Sequence, residues 1–146
     1  MLKTIELIDE NGNTINVPMR SNAGTAIRYR GVFHEEIPVT GDKNMLYLAI
    51  MANEKIDIGK EEDLTRVASI TQKATDKIIR LAFIMAMSGA GKQMDKLSYE
   101  DFVSWSETLD SASFTEEKQS EIWALYTGNS ESSSESKKKN VEQAET

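Results

Sequence analysis

Apolar and polar residues alternate at the start of the chain, and this pattern predicts a β-hairpin. Residues 2–8 are rich in Ile and Leu, and a second run of this kind covers residues 14–18. Asn11-Gly12 lies between them, which favours a tight type I′ turn because both central residues of that turn need positive φ. Pro18 cannot donate to a ladder, so the second strand is predicted to lie at an edge or to end there. A hairpin alone is marginal and is expected to rest on helices.

From residue 21 onwards the spacing of apolar residues becomes helical. Ser21 and Asn22 are candidate caps for a first helix over residues 23–32. After an irregular stretch, Asp42 is predicted to cap a second helix. Burial of this helix on several sides is expected, because its apolar residues wrap most of its circumference: Met45, Leu46, Leu48, Ala49, Ile50 and Ala52.

A long helix is predicted over residues 61–87, after a connection at 53–59. Its second half, from Ile78, is apolar nearly all round and is expected to be the central core helix. The segment 88–91 is predicted to end it, with Gly as the residue just past the helix. Arg80 interrupts the apolar run and is expected to pair with an acid or to extend to the surface.

Two shorter helices complete the prediction. Ser98 begins a sequence close to a capping box, and its helix is expected to run to Leu109. Thr115 is predicted to cap the last helix, which carries Trp123 and Tyr126. The predicted fold class is therefore α+β and mainly α, with an N-terminal hairpin followed by about five helices.

Length and composition predict one domain and a polar tail. The chain has 146 residues, of which 1–127 carry the predicted elements. Residues 128–146 are rich in Ser, Glu and Lys and contain no apolar side chain before Val141, which predicts disorder.

Charge and cysteine content exclude several classes of function. The net charge of −7 argues against a nucleic-acid-binding surface, which needs a basic footprint. The chain has no cysteine, so it forms no disulfide and has no thiolate metal site or cysteine nucleophile. No signal peptide is visible, and the longest apolar run of seven residues is far below the roughly 20 needed to cross a membrane.

The sequence motifs that suggest catalysis or metal binding are incomplete. Ala90-Gly91-Lys92 resembles the end of a P-loop, but the first Gly and the final Ser or Thr of that motif are missing. His34 is the only histidine and has no second ligand at helical spacing. Glu61-Glu62-Asp63 lack the alternation of a calcium loop and fit a solvated first helical turn. We therefore predict no catalytic residue, no metal and no cofactor.

Five residues are candidates for binding a protein partner. Arg28 and Arg30 point about 200° apart on a helix, so they are either exposed arginines beside a packed Tyr29 or contacts to an acidic partner. The aromatic residues Trp105, Trp123 and Tyr126 are either core residues or anchors for a protein partner. The second alternative arises because Trp and Tyr are enriched in binding hot spots.

The order of these elements resembles a known family. The chain opens with the hairpin Met1-Leu-Lys-Thr-Ile-Glu-Leu-Ile-Asp-Glu-Asn-Gly and continues as a small acidic helical body. A polar, lysine-bearing end follows Trp123-Ala-Leu-Tyr. This arrangement is similar to that of the tail assembly chaperones of long-tailed phages and prophages of Gram-positive bacteria.

The resemblance implies a non-catalytic assembly factor in the cytoplasm of the bacterial host. Such a protein binds the tape measure protein, keeps it soluble and helps to recruit tail tube subunits around it; self-association is a further interaction within the family. The runner-up function is a different small phage morphogenesis protein, such as a head–tail connector component.

The resemblance also implies a longer form made by a translational frameshift. Lys137, Lys138 and Lys139 are adjacent, and adjacent Lys codons can form an A-rich slippery stretch. A shift there would replace the tail with a further domain that contacts the tail tube protein. The nucleotide sequence tests this, because AAG codons would interrupt the slippery stretch.

Overall fold

Two strands and five α-helices make up the part of the chain that the structure describes. This computed structural model describes residues 1–55 and 61–128, without the side chains at positions 53, 61–65, 67 and 68. The elements, in chain order, are β1 Leu2–Ile8, β2 Thr14–Arg20, α1 Gly24–Phe33, α2 Lys43–Glu54, α3 Glu61–Gly89, α4 Tyr99–Ser106 and α5 Glu116–Thr127. Short 3₁₀ helices lie at Met94–Lys96 and Ser111–Ser113.

The predicted fold class is confirmed, since an N-terminal antiparallel hairpin precedes a mainly helical body. Most of the predicted connection at 53–59 lies outside the described residues. The predicted tail lies outside them from residue 129 onwards, including the three adjacent lysines.

The hairpin turn differs from the predicted type I′ turn. The Gly12 N–H donates to the Asp9 carbonyl at 3.0 Å, which closes a four-residue turn, and Gly12 has φ +85° while Asn11 does not have positive φ. The loop is therefore a turn followed by one left-handed glycine. The physical reason is Asp9, whose carboxylate accepts the N–H groups of Asn11 and Asn13, each at 2.9 Å. These hydrogen bonds lower the pKa of Asp9.

Strand β2 continues two residues beyond Pro18, to Arg20, and so does not end at the proline. Hydrogen-bonded and non-hydrogen-bonded pairs alternate along an antiparallel ladder. The Asp9 N–H donates to the Asn13 carbonyl, and counting along the register from this pair puts Thr4–Pro18 at a non-hydrogen-bonded position. The proline nitrogen therefore points to the outer edge of β2, where no donor is needed.

Helix α3 is the centre of the core, as predicted. Every residue from 81 to 86 is buried, and so are Ile78 and Ala74 one and two turns earlier. Strand β2 and the helices α1, α2, α4 and α5 all pack against α3. The hairpin contributes Ile5, Leu7 and Met19 to the same core.

The end of α3 fits closely against the hairpin. Gly91, at φ +72°, follows the helix, and its N–H donates to the Ser88 carbonyl while the Lys92 N–H donates to that of Met87. This pattern is the Schellman cap expected of a glycine just past a helix. Two residues earlier, a Cβ on Gly89 would lie 2.2 Å from the carbonyl oxygen of Pro18. Only glycine allows this close approach of helix and strand.

Side-chain caps begin most of the helices as predicted. Asp42 accepts the Asn44 N–H, Thr115 accepts the Lys118 N–H, and Ser98 forms a full capping box. At the start of α1, the Asn22 side chain accepts the Gly24 N–H at 2.9 Å. Of the two predicted caps for this helix, Asn22 is therefore the one that binds its backbone. The other candidate cap, Ser21, donates to the Tyr126 carbonyl instead.

Helix α4 ends at Ser106, three residues earlier than predicted. The chain beyond it runs beside the end of β1, where Leu109 and Asp9 form an isolated antiparallel bridge. The Asp110 N–H donates to the Ile8 carbonyl at 2.8 Å, and the Thr108 carbonyl accepts the Glu10 N–H at 3.0 Å. These backbone hydrogen bonds to the hairpin compete with a further helical turn.

Replacing Gly89 with alanine should destabilise the protein by about 1–3 kcal/mol, because the new methyl group overlaps the Pro18 carbonyl. Gly31→Ala is the matched control, since Gly31 lies within α1 and a Cβ there meets nothing within 4 Å. This control should stabilise by up to about 1 kcal/mol through helix propensity. Urea unfolding of both variants measures the contrast, and equal effects would contradict the close approach.

Candidate docking surface

Helix α2 carries two apolar stripes, and only one of them is buried. Leu46 and Ile50 enter the core, whereas Met45 and Leu48 are 47% and 57% exposed. We define the α2 stripe as the four exposed residues at positions i, i+3, i+4 and i+7, which are Met45, Leu48, Ala49 and Ala52. The predicted burial of α2 on several sides is wrong, because this helix packs on its neighbours along one side and its opposite face lies at the surface.

An open groove with a volume of about 1010 Å³ lies next to the α2 stripe. Helices α2 and α3 and the segment 34–38 form its walls, and Ala49 belongs to both the groove and the α2 stripe. The apolar part of the lining is Ile37, Pro38, Leu46, Ala49 and Ile50. Four basic and four acidic side chains surround it, namely Arg30, Lys73, Lys77, Arg80, Glu35, Glu36, Glu54 and Asp76.

The carboxylate of Glu35 joins the segment 34–38 to two helices. Its Oε1 accepts hydrogen bonds from the Tyr29 hydroxyl of α1 and from Arg80 Nη1 of α3, the latter at 2.9 Å. Its Oε2 lies 3.3 Å from Lys77 Nζ, which also donates to the Glu36 carbonyl at 3.2 Å. Of the two predicted alternatives for Arg80, pairing with an acid or extension to the surface, the structure shows the pairing. Its guanidinium also lies 5.7 Å from the centroid of the Phe33 ring.

These contacts favour the charged form of the Glu35–Arg80 pair. Burial by itself raises the pKa of Glu35, but the Tyr29 hydroxyl, Lys77 and Arg80 outweigh it and hold that pKa below the ordinary value. Burial likewise tends to lower the pKa of Arg80, and the Glu35 carboxylate reverses this and raises it. Burial and the neighbouring Glu35 carboxylate both raise the pKa of Tyr29. The groove wall is therefore held by ionised groups at neutral pH.

The structure places the two candidate arginines in different environments. Arg28 is exposed and does not line the groove, whereas Arg30 lines it and lies 4.0 Å from a carboxylate oxygen of Glu36. The two side chains thus do not form one clamp, as their helical spacing indicated. Of this pair, Arg30 is the one that a partner in the groove would meet.

The three aromatic candidates are core residues to different degrees. Trp123 is 2% exposed and donates its indole N–H to the Gly41 carbonyl at 3.1 Å, and Tyr126 is 9% exposed. Trp105 is half-buried and its ring centroid lies 5.7 Å from that of Phe83. The geometry favours the core interpretation for Trp123 and Tyr126, since neither presents its ring to a partner on the surface of this chain.

Sequence reasoning missed the α2 stripe and the role of Glu35. The signal for the stripe was present in the spacing of four apolar residues, which repeats the pattern of one helix face. The stripe could not be distinguished in the sequence because the buried residues of the same helix are also apolar and lie between its members. Glu35 lies in a segment without periodicity, so no sequence signal connects it to Arg80.

Of the residues considered for catalysis and metal binding, His34 and Gly91 belong to the ends of two different helices, and the side chains of Glu61, Glu62 and Asp63 lie outside the described residues. His34 is exposed in the left-handed conformation that ends α1, and Gly91 belongs to the cap of α3. Across the described residues, no three His, Asp or Glu side chains are grouped as a metal site would require. Within the same residues, no helix combines the length and apolar character needed to span a membrane.

Comparisons with protein-family models, with curated protein sequences and with solved structures found no match to this chain.

Replacing Glu35 with glutamine should destabilise the protein by about 1–3 kcal/mol at neutral pH, because a charged acceptor shared by three donors is lost. The pKa of Glu35 is lowered on folding, so its contribution is present above the unfolded pKa of about 4.5 and disappears as pH falls through the folded pKa. The stabilities of the wild type and the variant should therefore converge in acid.

Urea unfolding at a series of pH values measures this difference. Glu36→Gln is the matched control, because the Glu36 side chain is 88% exposed and should change stability by less than about 0.5 kcal/mol. A difference between wild type and Glu35→Gln that stays constant into acid would show that the carboxylate charge does not stabilise the fold.

Replacing Tyr126 with phenylalanine should leave stability unchanged or raise it by about 1 kcal/mol. The Tyr126 hydroxyl is buried and has no hydrogen-bond partner among the described residues, and burial raises its pKa to about 12. The comparison variant is Trp123→Phe, which loses the hydrogen bond to Gly41 and should cost about 1–3 kcal/mol. A clear loss of stability in Tyr126→Phe, measured by thermal unfolding, would mean that the hydroxyl has a partner.

Proposed function

We propose that this chain is a non-catalytic tail assembly chaperone of a long-tailed phage or prophage, acting in the cytoplasm of a Gram-positive host. It binds the tape measure protein and keeps that long helical protein soluble. A longer frameshifted form contacts the tail tube protein. The order of the sequence elements supports the family, and one observation supports the binding role, namely the exposed α2 stripe beside the groove.

The geometry of α2 suits the capture of an amphipathic helix. Helix-in-groove recognition uses apolar residues at i, i+3, i+4 and i+7, which is the spacing of the α2 stripe. The small side chains of Ala49 and Ala52 allow a partner helix to approach the backbone, while Met45 and Leu48 supply apolar area. Methionine also adapts to varied partners, which suits a client with many similar helical segments.

The rim of the groove would hold the polar side of such a client. Its basic and acidic groups are equal in number and mostly paired with each other, as in the ion pairs Lys73–Glu54 and Lys77–Glu35. The rim therefore presents both positive and negative charge to a client helix, which suits a client whose own charges are mixed. The net charge of −7 keeps the chain itself soluble while the α2 stripe stays exposed.

Co-expression with the long coiled-coil protein encoded just downstream tests this function. The wild type should co-purify with that protein in soluble form, and the downstream protein alone should precipitate. Replacing Leu48 with glutamate should weaken capture at least tenfold, because burial of one exposed leucine contributes about 1.5–3 kcal/mol. The control is Ile27→Glu on α1, where the wild-type side chain is 62% exposed but lies outside the α2 stripe.

Three results would contradict the proposal in different ways. Equal capture by both variants would mean that the client binds a face other than α2. Weaker capture by both would indicate a general effect of added charge. No capture by the wild type, together with its presence in mature particles, would favour the head–tail connector.

A further inference from the structure

The outer edge of β1 is paired at one end of the strand and open along the rest. Residues at even positions of β1 direct their backbone N–H and C=O groups away from β2, because pairs such as Thr4–Pro18 are non-hydrogen-bonded. At Ile8 both groups are used, since the carbonyl accepts the Asp110 N–H at 2.8 Å and the N–H donates to Ser113 Oγ at 2.7 Å. The chain around Asp110 thus begins a third strand beside β1 and then turns away into a 3₁₀ helix.

Three residues further along the same edge keep their backbone groups unpaired. The N–H and C=O groups of Leu2, Thr4 and Glu6 point outwards and have no hydrogen-bond partner among the described residues. This stretch is about 17 Å long, and all three side chains are exposed. Proline and bulges usually protect such an edge, and β1 has neither. The outer edge of β2, by contrast, is interrupted by Pro18, whose carbonyl lies against Gly89.

We propose that β1 accepts an extended segment of a partner protein as an additional strand, antiparallel to β1 and opposite Leu2, Thr4 and Glu6. Only an extended backbone can pair with groups at this spacing, because the N–H and C=O groups of a helix bond within the helix. The antiparallel direction continues that of the segment around Asp110 and gives the more stable ladder. The client helix of the proposed function would use α2 instead, so this site is a second and separate one.

The side chains along the edge define the chemistry of the partner segment. Glu6 is exposed and has no ion-pair partner among the described residues, whereas Lys3, on the other face of β1, lies 3.6 Å from Glu121. Cross-strand complementarity therefore requires a basic residue opposite Glu6, a β-branched one opposite Thr4 and an apolar one opposite the exposed Leu2. Read from its N-terminus, the partner segment carries basic, β-branched and apolar side chains at alternating positions.

A second copy of β1 does not have this complementary sequence. Antiparallel pairing centred on Thr4 would place Leu2 of one copy against Glu6 of the other at both ends of the contact. Parallel pairing in register would place two Glu6 side chains beside each other, and like charges in that position are destabilising. The edge therefore fits a partner of a different sequence.

A synthetic peptide, Thr-Lys-Thr-Val-Thr-Leu-Thr blocked at both ends, tests this pairing with the full chain. Amide hydrogen exchange measured by NMR should slow at Leu2, Thr4 and Glu6, whose N–H groups gain an acceptor. Exchange should stay unchanged at Lys3 and Ile5, whose N–H groups already bond to β2. Equal slowing at all five residues, or slowing at none, would overturn the proposal.

Two N-methylated forms of the peptide separate backbone pairing from side-chain contact. A methyl group on the valine nitrogen removes a donor that faces β1, and it should weaken binding at least about tenfold. A methyl group on the nitrogen of the threonine just before valine faces away from β1 and should leave binding nearly unchanged. Equal losses for the two forms would contradict strand addition.

Variants of the chain test the same edge from its own side. Thr4→Pro removes one outward N–H and should reduce peptide binding, while the hairpin persists because this N–H does not bond to β2. Thr4→Val keeps the N–H and is the matched control. Glu6→Lys leaves the backbone intact and should reverse the charge preference, so that a peptide with glutamate in place of lysine binds more tightly. An unchanged preference would overturn the proposed partner chemistry.

Hydrogen exchange without the peptide tests two other occupants of the edge. Slow exchange at Leu2, Thr4 and Glu6 that is lost on dilution would assign the edge to a second copy. Slow exchange that persists on dilution would assign it to another segment of the same chain, and either result would overturn the external partner. None of these residues belongs to the α2 stripe or lines the groove, so this proposal and the proposed function can fail separately.

Discussion

The structure depends on the burial of the second half of helix α3 on all sides. Residues 81–86 of α3 expose almost nothing to solvent, so every side of this segment must be covered by another element. A helix that is apolar all round has no stable surface position, and the hairpin and the other helices supply its cover. Gly89 sets how closely the hairpin can approach, because its missing side chain leaves room for the Pro18 carbonyl. The fold is thus organised around a single buried helix instead of two facing layers.

Arg80 lies directly before this buried segment, and its charge shapes the surface next to it. A guanidinium beside buried residues needs a partner, since an unpaired charge there would be costly. Glu35 provides the partner, but it belongs to a segment without regular structure. The ion pair therefore fixes residues 34–38 against α3, and the segment becomes one wall of the groove. The need of the Arg80 charge for a partner therefore determines the shape of the candidate docking surface.

Local sequence signals predicted those features that depend on neighbouring residues. The capping box at Ser98, the cap at Asp42 and the glycine that ends α3 each involve groups within a few positions, and each is confirmed. The turn of the hairpin was predicted from Asn11-Gly12 alone. It differs because the carboxylate of Asp9, two residues earlier, competes for the same backbone N–H groups.

Features that depend on distant residues could not be predicted in the same way. Periodicity predicts which residues of a helix share a face, but it does not state which face meets the core. Both faces of α2 are apolar, so only the position of α3 decides that Leu46 and Ile50 are buried. The pairing of Glu35 with Arg80 spans 45 positions and has no local signature. The candidate surface is therefore a product of tertiary packing, although all of its residues were visible in the sequence.

A helix with two apolar stripes raises the question of why the outer one exists. Exposure of Met45 and Leu48 gives no stability to the isolated chain, and polar residues would serve solubility better. The stripe is narrow, however, and its alanines limit the apolar area that it presents. A narrow stripe gives weak contacts, and in the proposed function weak contacts would let one client helix replace another. Strong affinity for any one client helix would prevent that exchange, so the mixture of large and small residues agrees with the repeated and reversible binding that we propose.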